Sequence, residues 1–331
     1  MRIGTTQGRV RAAGWRLLLA VLALVGAGAV SAQPYPSKPI RLIVPFPPGG
    51  AVDFYARVVQ QPLSDALGVP VVIENKAGAS GMVGIDAVAK APPDGYTLGL
   101  GNIASLAINV GIYDKMPYDP AKDLSPVTHT IDVNYALVVH PSLAARTVGE
   151  LVAYAKANPG KVAYGSAGSG SLPHLAMESF KAATGTDIVH VPYKGGGPMV
   201  TDLLGGTVQV VIADQANLMP HVKAGKLRAI AVASPKRSPN YPELPTIGDT
   251  LPGFQAVAWN GLVGPAGMSP DVVAKLNAAV VKVMAQPDVV AKLNGGGLDV
   301  VGDAPDEFGR FIRSEIAKWS AIAKQVGAKA D

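Results

Sequence analysis

The chain contains no cysteine. This excludes a disulfide framework, and it also excludes a bacterial lipoprotein, whose lipid is carried by a cysteine that follows the leader. The G-x-x-x-x-G-K-[ST] pattern is missing, and no G-x-G-x-x-G follows a predicted strand, so a nucleotide-phosphate loop is not indicated. Without cysteine and without an H-x-x-x-H pair, neither a metal site nor a cofactor is expected.

A strong excess of one charge is missing as well. The whole chain has 29 basic and 24 acidic residues, a net charge of +5. Arg2, Arg9, Arg11 and Arg16 lie within the first 32 residues, which contain no acidic residue. The remainder has 25 basic and 24 acidic residues, a net charge of +1. This balance does not favour a nucleic-acid partner.

The N-terminal segment has the pattern of a secretory signal peptide. Its basic start precedes an apolar run over residues 17–30, and the small-residue sequence VSA ends at Ala32. The alternative is a membrane anchor, but the run of about 14 residues is shorter than the ~18–20 that a spanning helix needs. We therefore predict a signal peptide over residues 1–32, location in the periplasm, and a monomeric mature protein that is long enough for two domains.

Apolar runs and helical patterns alternate after the leader. Residues 40–46, 69–75 and 94–102 are predicted strands, because each is short and largely apolar. Helices are predicted over 51–67, with a kink or break at Pro62, and over 85–91. This order indicates a parallel α/β sheet with right-handed connections.

A second cycle of the same kind starts near residue 137. Its predicted strands are 137–139, 161–166, 187–193, 208–214 and 227–234. Its predicted helices are 147–160, a helix that begins near Pro173, and 196–206. A final helix begins at Pro305, and its apolar stripe from Phe308 to Val326 is predicted to face the core.

A proline- and glycine-rich loop, PFPPGG, connects the first predicted strand to the first helix. A helix N-terminus presents unpaired N–H groups and a positive dipole end, so such a turn commonly binds anions. Pro48, Gly49 and Gly50 are therefore candidate ligand contacts, and Asp53 is placed to cap the first helical turn. The alternative is a tight turn that needs glycine only for its geometry.

A second loop of this kind lies in the second cycle. Residues 166–171 supply three serines and two glycines between a predicted strand and a helix. Ser166, Gly170 and Ser171 are candidate contacts for the same ligand. If the two α/β units face one another, two helix N-termini converge on one cleft, which suits a carboxylate, or two carboxylates, without a buried basic side chain.

Catalysis is the alternative use of this loop. A periplasmic serine hydrolase would combine Ser169 or Ser171 with His174, but no G-x-S-x-G elbow is present. His174 could orient the loop or a ligand, but a histidine at a helix start is more often structural. Other candidate ligand contacts at predicted strand ends are Ala79, Ser80, Tyr193, Lys194, Gly195 and Asp214, with Asp214 also readable as a turn cap.

Taken in order, several motifs resemble one known family. They are PFPPGGAVDFYAR, VVIENKAGASGMVG, PDGYTLGL, IYDKMPYDPAKDLSPV, VPYKGGGPMVTDLLGG, AGKLRAIAVAS and WNGLVGPAG. The chain resembles the Bug-type periplasmic receptors of tripartite tricarboxylate transporters over essentially its whole mature length. Val52, Phe54 and Tyr55 depart from the family pattern, and INVGIY lacks the usual proline after asparagine.

The resemblance implies an α/β, two-domain periplasmic binding protein of type II, the Venus-flytrap fold, with a parallel-rich sheet flanked by helices in each domain. Domain 1 would comprise residues 33–132 and 254–331, and domain 2, residues 133–253, would be inserted between them. The connections would lie near residues 132–135 and 254–259.

The resemblance also implies a function and a set of ligand contacts. A small organic carboxylate, which is a di- or tricarboxylate, an amino acid or an aromatic acid, would be captured in the interdomain cleft and delivered to a two-component membrane permease. A further alternative is an orphan receptor that signals to a sensor protein. The matching positions are Pro48, Gly49, Gly50, Asp53, Ala79, Ser80, Ser166, Gly170, Ser171, His174, Tyr193, Lys194, Gly195 and Asp214.

Overall fold

The computed structural model describes residues 35–238 and 240–329. The predicted signal peptide, residues 1–32, lies outside the described residues. The chain divides into a unit of residues 1–37, whose described part contains no helix or strand, and a unit of residues 38–331. The second unit contains both of the sheets described below.

The first sheet has six strands in the order β11-β4-β10-β3-β1-β2. β1 pairs in parallel with β2 and β3, whereas β10 pairs antiparallel with β3 and β4, and β11 antiparallel with β4. The strands are β1 Ile40–Val44, β2 Val71–Asn75, β3 Thr97–Asn102, β4 Leu124–Val133, β10 Ala258–Pro265 and β11 Leu298–Val300.

The second sheet has five strands in the order β7-β6-β8-β5-β9. β6 pairs in parallel with β7 and β8, and β5 pairs antiparallel with β8 and β9. The strands are β5 Tyr135–Val139, β6 Val162–Ser166, β7 Ile188–Pro192, β8 Val210–Asp214 and β9 Arg228–Val232.

Helices follow most of the strands and cover the sheets. Within the described chain, none of them has the length and apolar character needed to cross a membrane. A π-helical turn over Ala104–Ile108 precedes the short helix α3. The helices are α1 Ala51–Leu67, α2 Met82–Ala89, α3 Asn109–Ile112, α4 Val148–Ala157, α5 Leu172–Thr184, α6 Gly196–Leu204, α7 Gln215–Lys223, α8 Pro270–Met284, α9 Pro287–Gly295 and α10 Pro305–Gln325.

The predicted α/β fold is confirmed, with one extension. The parallel β2-β1-β3 and β7-β6-β8 arrangements match the sequence patterns, but both sheets are mixed because antiparallel strands complete them. The patterns did not reveal β4, whose sequence LSPVTHTIDV contains many polar residues. Thr128 and Thr130 are nevertheless buried, because their hydroxyls donate to the carbonyls of Asp303 and Asn260.

Of the predicted kink or break at Pro62, the break does not occur, because α1 continues as one helix through this residue. Proline removes one backbone hydrogen bond from a helix interior. Here Val59 and Leu63 on either side are buried against the core, and this packing offsets the loss.

The apolar stripe of α10 faces the core, as predicted. Phe308, Ile312 and Trp319 are each at most 2% exposed. Glu315 lies on the same face and is also buried, and its Oε2 accepts the indole N–H of Trp319 at 2.8 Å and of Trp259 on β10 at 2.9 Å. One carboxylate thus fixes the orientation of two tryptophans and attaches the last helix to the first sheet.

Replacement of this carboxylate should destabilise the fold strongly. Glu315→Ala leaves two buried indole N–H groups without an acceptor and opens a void, so we expect a loss of about 3–5 kcal/mol of unfolding free energy. Denaturant unfolding measures this loss. Lys324→Ala, at an exposed position of the same helix, should change stability by less than about 0.5 kcal/mol. Equal losses in the two variants would contradict the structural role of Glu315.

Candidate functional site

Two adjoining cavities lie where the strand ends of the two sheets meet. Their volumes are about 520 and 570 Å³. Asn102 ends β3 and Asp214 ends β8, while Tyr135 and Ala258 begin strands that run antiparallel to these two. These four residues and Asn217 line both cavities. The two cavities therefore form one cleft, which occupies the edge of α/β sheets where ligands usually bind.

Three helices begin at this cleft without a side-chain cap. The N-cap residues of α1, α5 and α6 are Gly50, Ser171 and Gly195, and none of their side chains accepts a capping hydrogen bond. Away from the cavities, Thr147 caps α4 and Ser269 caps α8, whereas α2 and α9 also begin without a side-chain cap. The cleft is distinguished by three such helix starts that lie close together. The uncapped helix ends leave backbone N–H groups and positive dipole ends available to an anion.

The cleft contains no cationic side chain among the described residues that line its two cavities, and Asp214 is its one charged residue. Asp214 caps α7, because its Oδ1 accepts the backbone N–H of Asn217 and its Oδ2 accepts the Asn217 amide, both at 2.9 Å. The capping alternative for Asp214 is thus realised, and the residue faces the cleft as well. Attraction for an anion must therefore come from uncharged donors, which are the backbone N–H groups of the helix starts and polar side chains such as Asn102 and Ser169.

Asp53 supports the first loop from behind and does not line the cavities. Only 2% exposed, its carboxylate accepts the N–H of Gly49 at 3.0 Å, two hydrogen bonds from Arg57 at 2.8 and 3.0 Å, and one from Asn75 at 2.9 Å. The hydrogen bonds from Arg57 are the largest cause that lowers the pKa of Asp53 to about 2. Asp53 therefore stays ionised and fixes Gly49 at the start of α1.

An aromatic stack supports the second loop, with Tyr164 and His174 buried and His190 half-buried. The rings of Tyr164, His190 and His174 stack with centroid separations of 4.7 and 4.3 Å. The Oγ of Ser166, which is fully buried, lies 2.7 Å from Nε2 of His190, and Nδ1 of His174 accepts the N–H of Gly170 at 3.0 Å. Burial lowers the pKa of His190 to about 4 and also lowers that of His174. Both imidazoles are neutral at pH 7 and fix the loop backbone.

Gly170 brings the second loop against the first sheet's helices. Its φ is +76°, and a Cβ at this position would lie 2.8 Å from Cδ1 of Ile112 on α3. Only glycine satisfies both constraints without displacement of a neighbour. The two sides of the cleft are thus in contact at this point, and the second cavity lies beside it.

The candidate hydrolase pair is not assembled in this arrangement. The hydroxyl of Ser171 donates to the carbonyl of Gly168 at 2.6 Å, and Nδ1 of His174 is occupied by Gly170. Ser169 lines the second cavity. In the part of the chain that the structure describes, no group of three His, Asp or Glu side chains is arranged to bind a metal ion.

Other candidate residues occupy the rim or lie outside the cleft. Ser80 lines the second cavity and, with Ala79, adopts positive φ values of 52° and 45° in a left-handed turn. The hydroxyl of Tyr193 donates to Asp202 at 2.7 Å, and burial raises its pKa to about 12. Lys194 is exposed to solvent, away from the two cavities.

The structure thus divides the predicted site residues into two groups. Those that line the cavities or the small adjoining depression beside PFPPGG are Pro48, Gly49, Gly50, Ser80, Gly170, Ser171 and Asp214. The other predicted residues line none of these surfaces, although several of them support the loops. They are Asp53, Ala79, Ser166, His174, Tyr193, Lys194 and Gly195.

Sequence reasoning missed several residues of the cleft. Asn102 ends the predicted strand over residues 94–102. Its position at the edge of the sheet that borders the cleft could therefore have been inferred. The two segments that the resemblance assigned to the domain connections contain Tyr135, Ala258 and Trp259. Asn217 follows Asp214 on α7, a helix that the sequence patterns did not reveal.

The two facing sheets and the cleft between their strand ends define a two-lobed solute-binding protein. The family model for the tripartite tricarboxylate transporter family receptor matches residues 55–328. Protein BugT of Bordetella pertussis is 40% identical over 319 residues, which are 94% of this chain and 98% of BugT.

Two solved structures agree with this match. One, described as a periplasmic transporter, has a TM-score of 0.75 and 42% identity over 90% of this chain and 100% of its own. R. palustris Rpa4515 with adipate has a TM-score of 0.76 and 36% identity over 89% and 99% of the two chains. The chain belongs to the tripartite tricarboxylate transporter receptor family, the family of the Bug-type receptors. The predicted resemblance and fold are confirmed.

Loss of the Asp53 carboxylate should loosen the first loop. Asp53→Ala removes the acceptor of four hydrogen bonds, and we expect a loss of about 2–3 kcal/mol in denaturant unfolding, because hydrogen bonds to charged groups contribute most. Asp65→Ala changes an exposed acidic residue of the same helix and should cost less than about 1 kcal/mol. The support role is wrong if the two variants unfold at the same denaturant concentration.

The stacked residues His174 and His190 should make the free energy of unfolding depend on pH. Between the ordinary pKa of 6.5 and about 4, the unfolded chain binds protons on His190 that the folded chain excludes. The stabilisation is complete above about pH 6.5 and is lost as the pH falls toward 4, with Glu178 opposing and Lys181 reinforcing the low pKa of both histidines.

His190→Gln should therefore show a shallower fall in unfolding free energy between pH 6.5 and 4 than the unmodified protein. His174 remains in this variant, so some slope should persist. His221→Gln, at a half-buried position on α7 outside the stack, is the matched control and should retain the full slope. Unfolding curves recorded at half-unit pH steps decide the question, and identical slopes in all three proteins would refute it.

Proposed function

We propose that this protein is a periplasmic receptor that captures a small organic carboxylate in the cleft between its two sheets. The observation that carries the proposal is the convergence of three uncapped helix N-termini, from both sides, on a cleft that no described cation lines. Such ends bind an anion through backbone N–H groups and the helix dipole. The relative with adipate supports this choice of ligand class.

We further propose that the two lobes close on the ligand by a hinge motion. Domain 1 would comprise residues 33–132 and 254–331, and domain 2 would comprise residues 133–253. In support, β4 of the first sheet ends at Val133 and β5 of the second begins at Tyr135, while β9 ends at Val232 and the chain returns to the first sheet at Ala258. A ligand that contacts both lobes would stabilise the closed state.

Delivery to a two-component membrane permease is the proposed use of the captured acid. The receptor would act in the periplasm as a monomer after removal of residues 1–32, and family membership supports this assignment. Neighbouring genes for one small and one large multi-span membrane protein would favour transport over signalling to a sensor. The protein is proposed to have no hydrolase activity, because the hydroxyl of Ser171 and Nδ1 of His174 are both engaged with backbone.

A thermal-shift screen tests the ligand class directly. Each organic acid is assayed beside its primary amide, which has nearly the same shape but no charge. An acid present at 100 times its dissociation constant should stabilise the protein by about 2.7 kcal/mol, and the amide should not. The proposal fails if no acid raises the melting temperature, or if the amides do so equally.

A substitution at Gly50 tests the position of the anion. A Cβ at Gly50 meets no atom within 4 Å, and φ is −82°, so Gly50→Val should fold normally. The added methyl groups would cover the N-terminus of α1, and we expect the acid-induced melting shift to disappear. Gly149→Val is the matched control, because Gly149 also has open space around it and lies in α4. An unchanged shift in Gly50→Val would place the anion elsewhere.

A further inference from the structure

We infer that the ligand is an aromatic monocarboxylate, whose ring lies against Phe54 while its single carboxylate occupies the N-terminus of α1. This inference rests on the proposed function and narrows it, because the family relative described above was crystallised with adipate, an aliphatic dicarboxylate. Two independent features of the first cavity carry the inference: its charge and its aromatic wall.

The charge of the cleft disfavours a second carboxylate. Among the described residues that line the two cavities there is no lysine, arginine or histidine, and Asp214 lies at their junction. Arg57 is engaged with Asp53 behind the loop, and Lys194 is exposed outside the cavities. In the first cavity, however, only α1 supplies an uncapped helix N-terminus, since α5 and α6 begin at the second cavity. A second carboxylate in the first cavity would thus give up its hydration shell without a cation or a second helix end and would lie beside Asp214.

The first cavity has a wall of three aromatic residues, Phe54, Tyr135 and Trp259. Phe54 is 38% exposed, so its ring is accessible to a molecule in this cavity. It lies one helical turn after Gly50, since its backbone N–H donates to the Gly50 carbonyl at 2.8 Å. A carboxylate at the N-terminus of α1 therefore places the body of the ligand beside the exposed Phe54 ring.

Packing holds two residues of this wall in place. The Phe54 ring rests on bare backbone at Gly296, where an added Cβ would overlap its Cε1. Trp259 is 1% exposed, and Glu315 fixes its indole N–H. Tyr135 comes from the second sheet, so a flat ligand would contact aromatic residues of both sheets. Fixed ring positions favour flat aromatic ligands, because little freedom is lost on binding and ring pairs attract beyond their buried area.

Matched acids separate the charge argument from the aromatic one. Calorimetry on the mature protein compares benzoate with terephthalate, hexanoate with adipate, and benzoate with cyclohexanecarboxylate. We expect the monocarboxylate of each of the first two pairs to bind more tightly. In the third pair, benzoate should bind about two- to tenfold more tightly than cyclohexanecarboxylate. This ratio is the interaction free energy of an aromatic pair converted to a difference in affinity.

Phe54→Leu tests the aromatic wall with an apolar side chain in place of the ring. It should reduce benzoate affinity about two- to tenfold and leave hexanoate affinity nearly unchanged. Tyr154→Leu removes an aromatic ring of similar exposure, 41%, on α4 outside the cavities, and should change neither affinity.

The outcomes distinguish this inference from the proposed function. Tighter binding of terephthalate and adipate, or an equal loss for benzoate and hexanoate in Phe54→Leu, would overturn the aromatic monocarboxylate while the carboxylate receptor stands. If none of these acids binds and none of the wider acid screen shifts the melting temperature, the proposed function itself fails.

Discussion

An α-helix leaves its first backbone N–H groups without partners inside the helix, and each must be satisfied by a side chain, water or a ligand. Most of the organisation of this cleft follows from that constraint. Gly50 and Gly195 have no side chain with which to cap a helix, and Ser171 directs its hydroxyl to the carbonyl of Gly168 instead. The N-termini of three helices are therefore left available at the cleft, which gives a positive potential without a lysine or arginine.

Loops that expose so much backbone need support from elsewhere in the structure. The first loop obtains it from the ionised carboxylate of Asp53, which joins Gly49 to Arg57 and Asn75. The second loop obtains it from two neutral imidazoles that stack with Tyr164. The ionised Asp53 at one loop and the neutral His174 and His190 at the other serve the same purpose. They fix glycine-rich backbone where a ligand would approach.

Residues of the core also support the wall of the cleft. Glu315 on α10 accepts from Trp259, whose other side faces the first cavity. The last helix of the chain thus determines the position of a wall residue on a strand nearly sixty residues earlier. Because a protein interior is close-packed, this support allows the cleft wall to keep one shape in the absence of a ligand.

The local patterns of the sequence determined the parallel strands, the helices beside them and the glycine-rich loops at the strand ends. These features depend on periodicity and on turn residues that neighbours in the chain supply. For the same reason PFPPGG and GSAGSGS were recognisable as candidate ligand loops, and Gly49, Gly50 and Gly170 do line the cleft. The motifs taken together were also sufficient to recognise the family.

Only the tertiary structure decided which residues face the cleft and which support it. Asp53, Ser166 and His174 looked like contacts because they lie beside the candidate ligand loops. Their partners Asn75, His190 and Gly170 instead bind them away from the cavities. The antiparallel strands β4 and β10 were not recognised, because their burial depends on hydrogen bonds such as that from Thr130 to Asn260, which join residues 130 positions apart. Long-range pairing of this kind leaves no periodic trace in the sequence, and neither does the approach of Phe54 to Gly296.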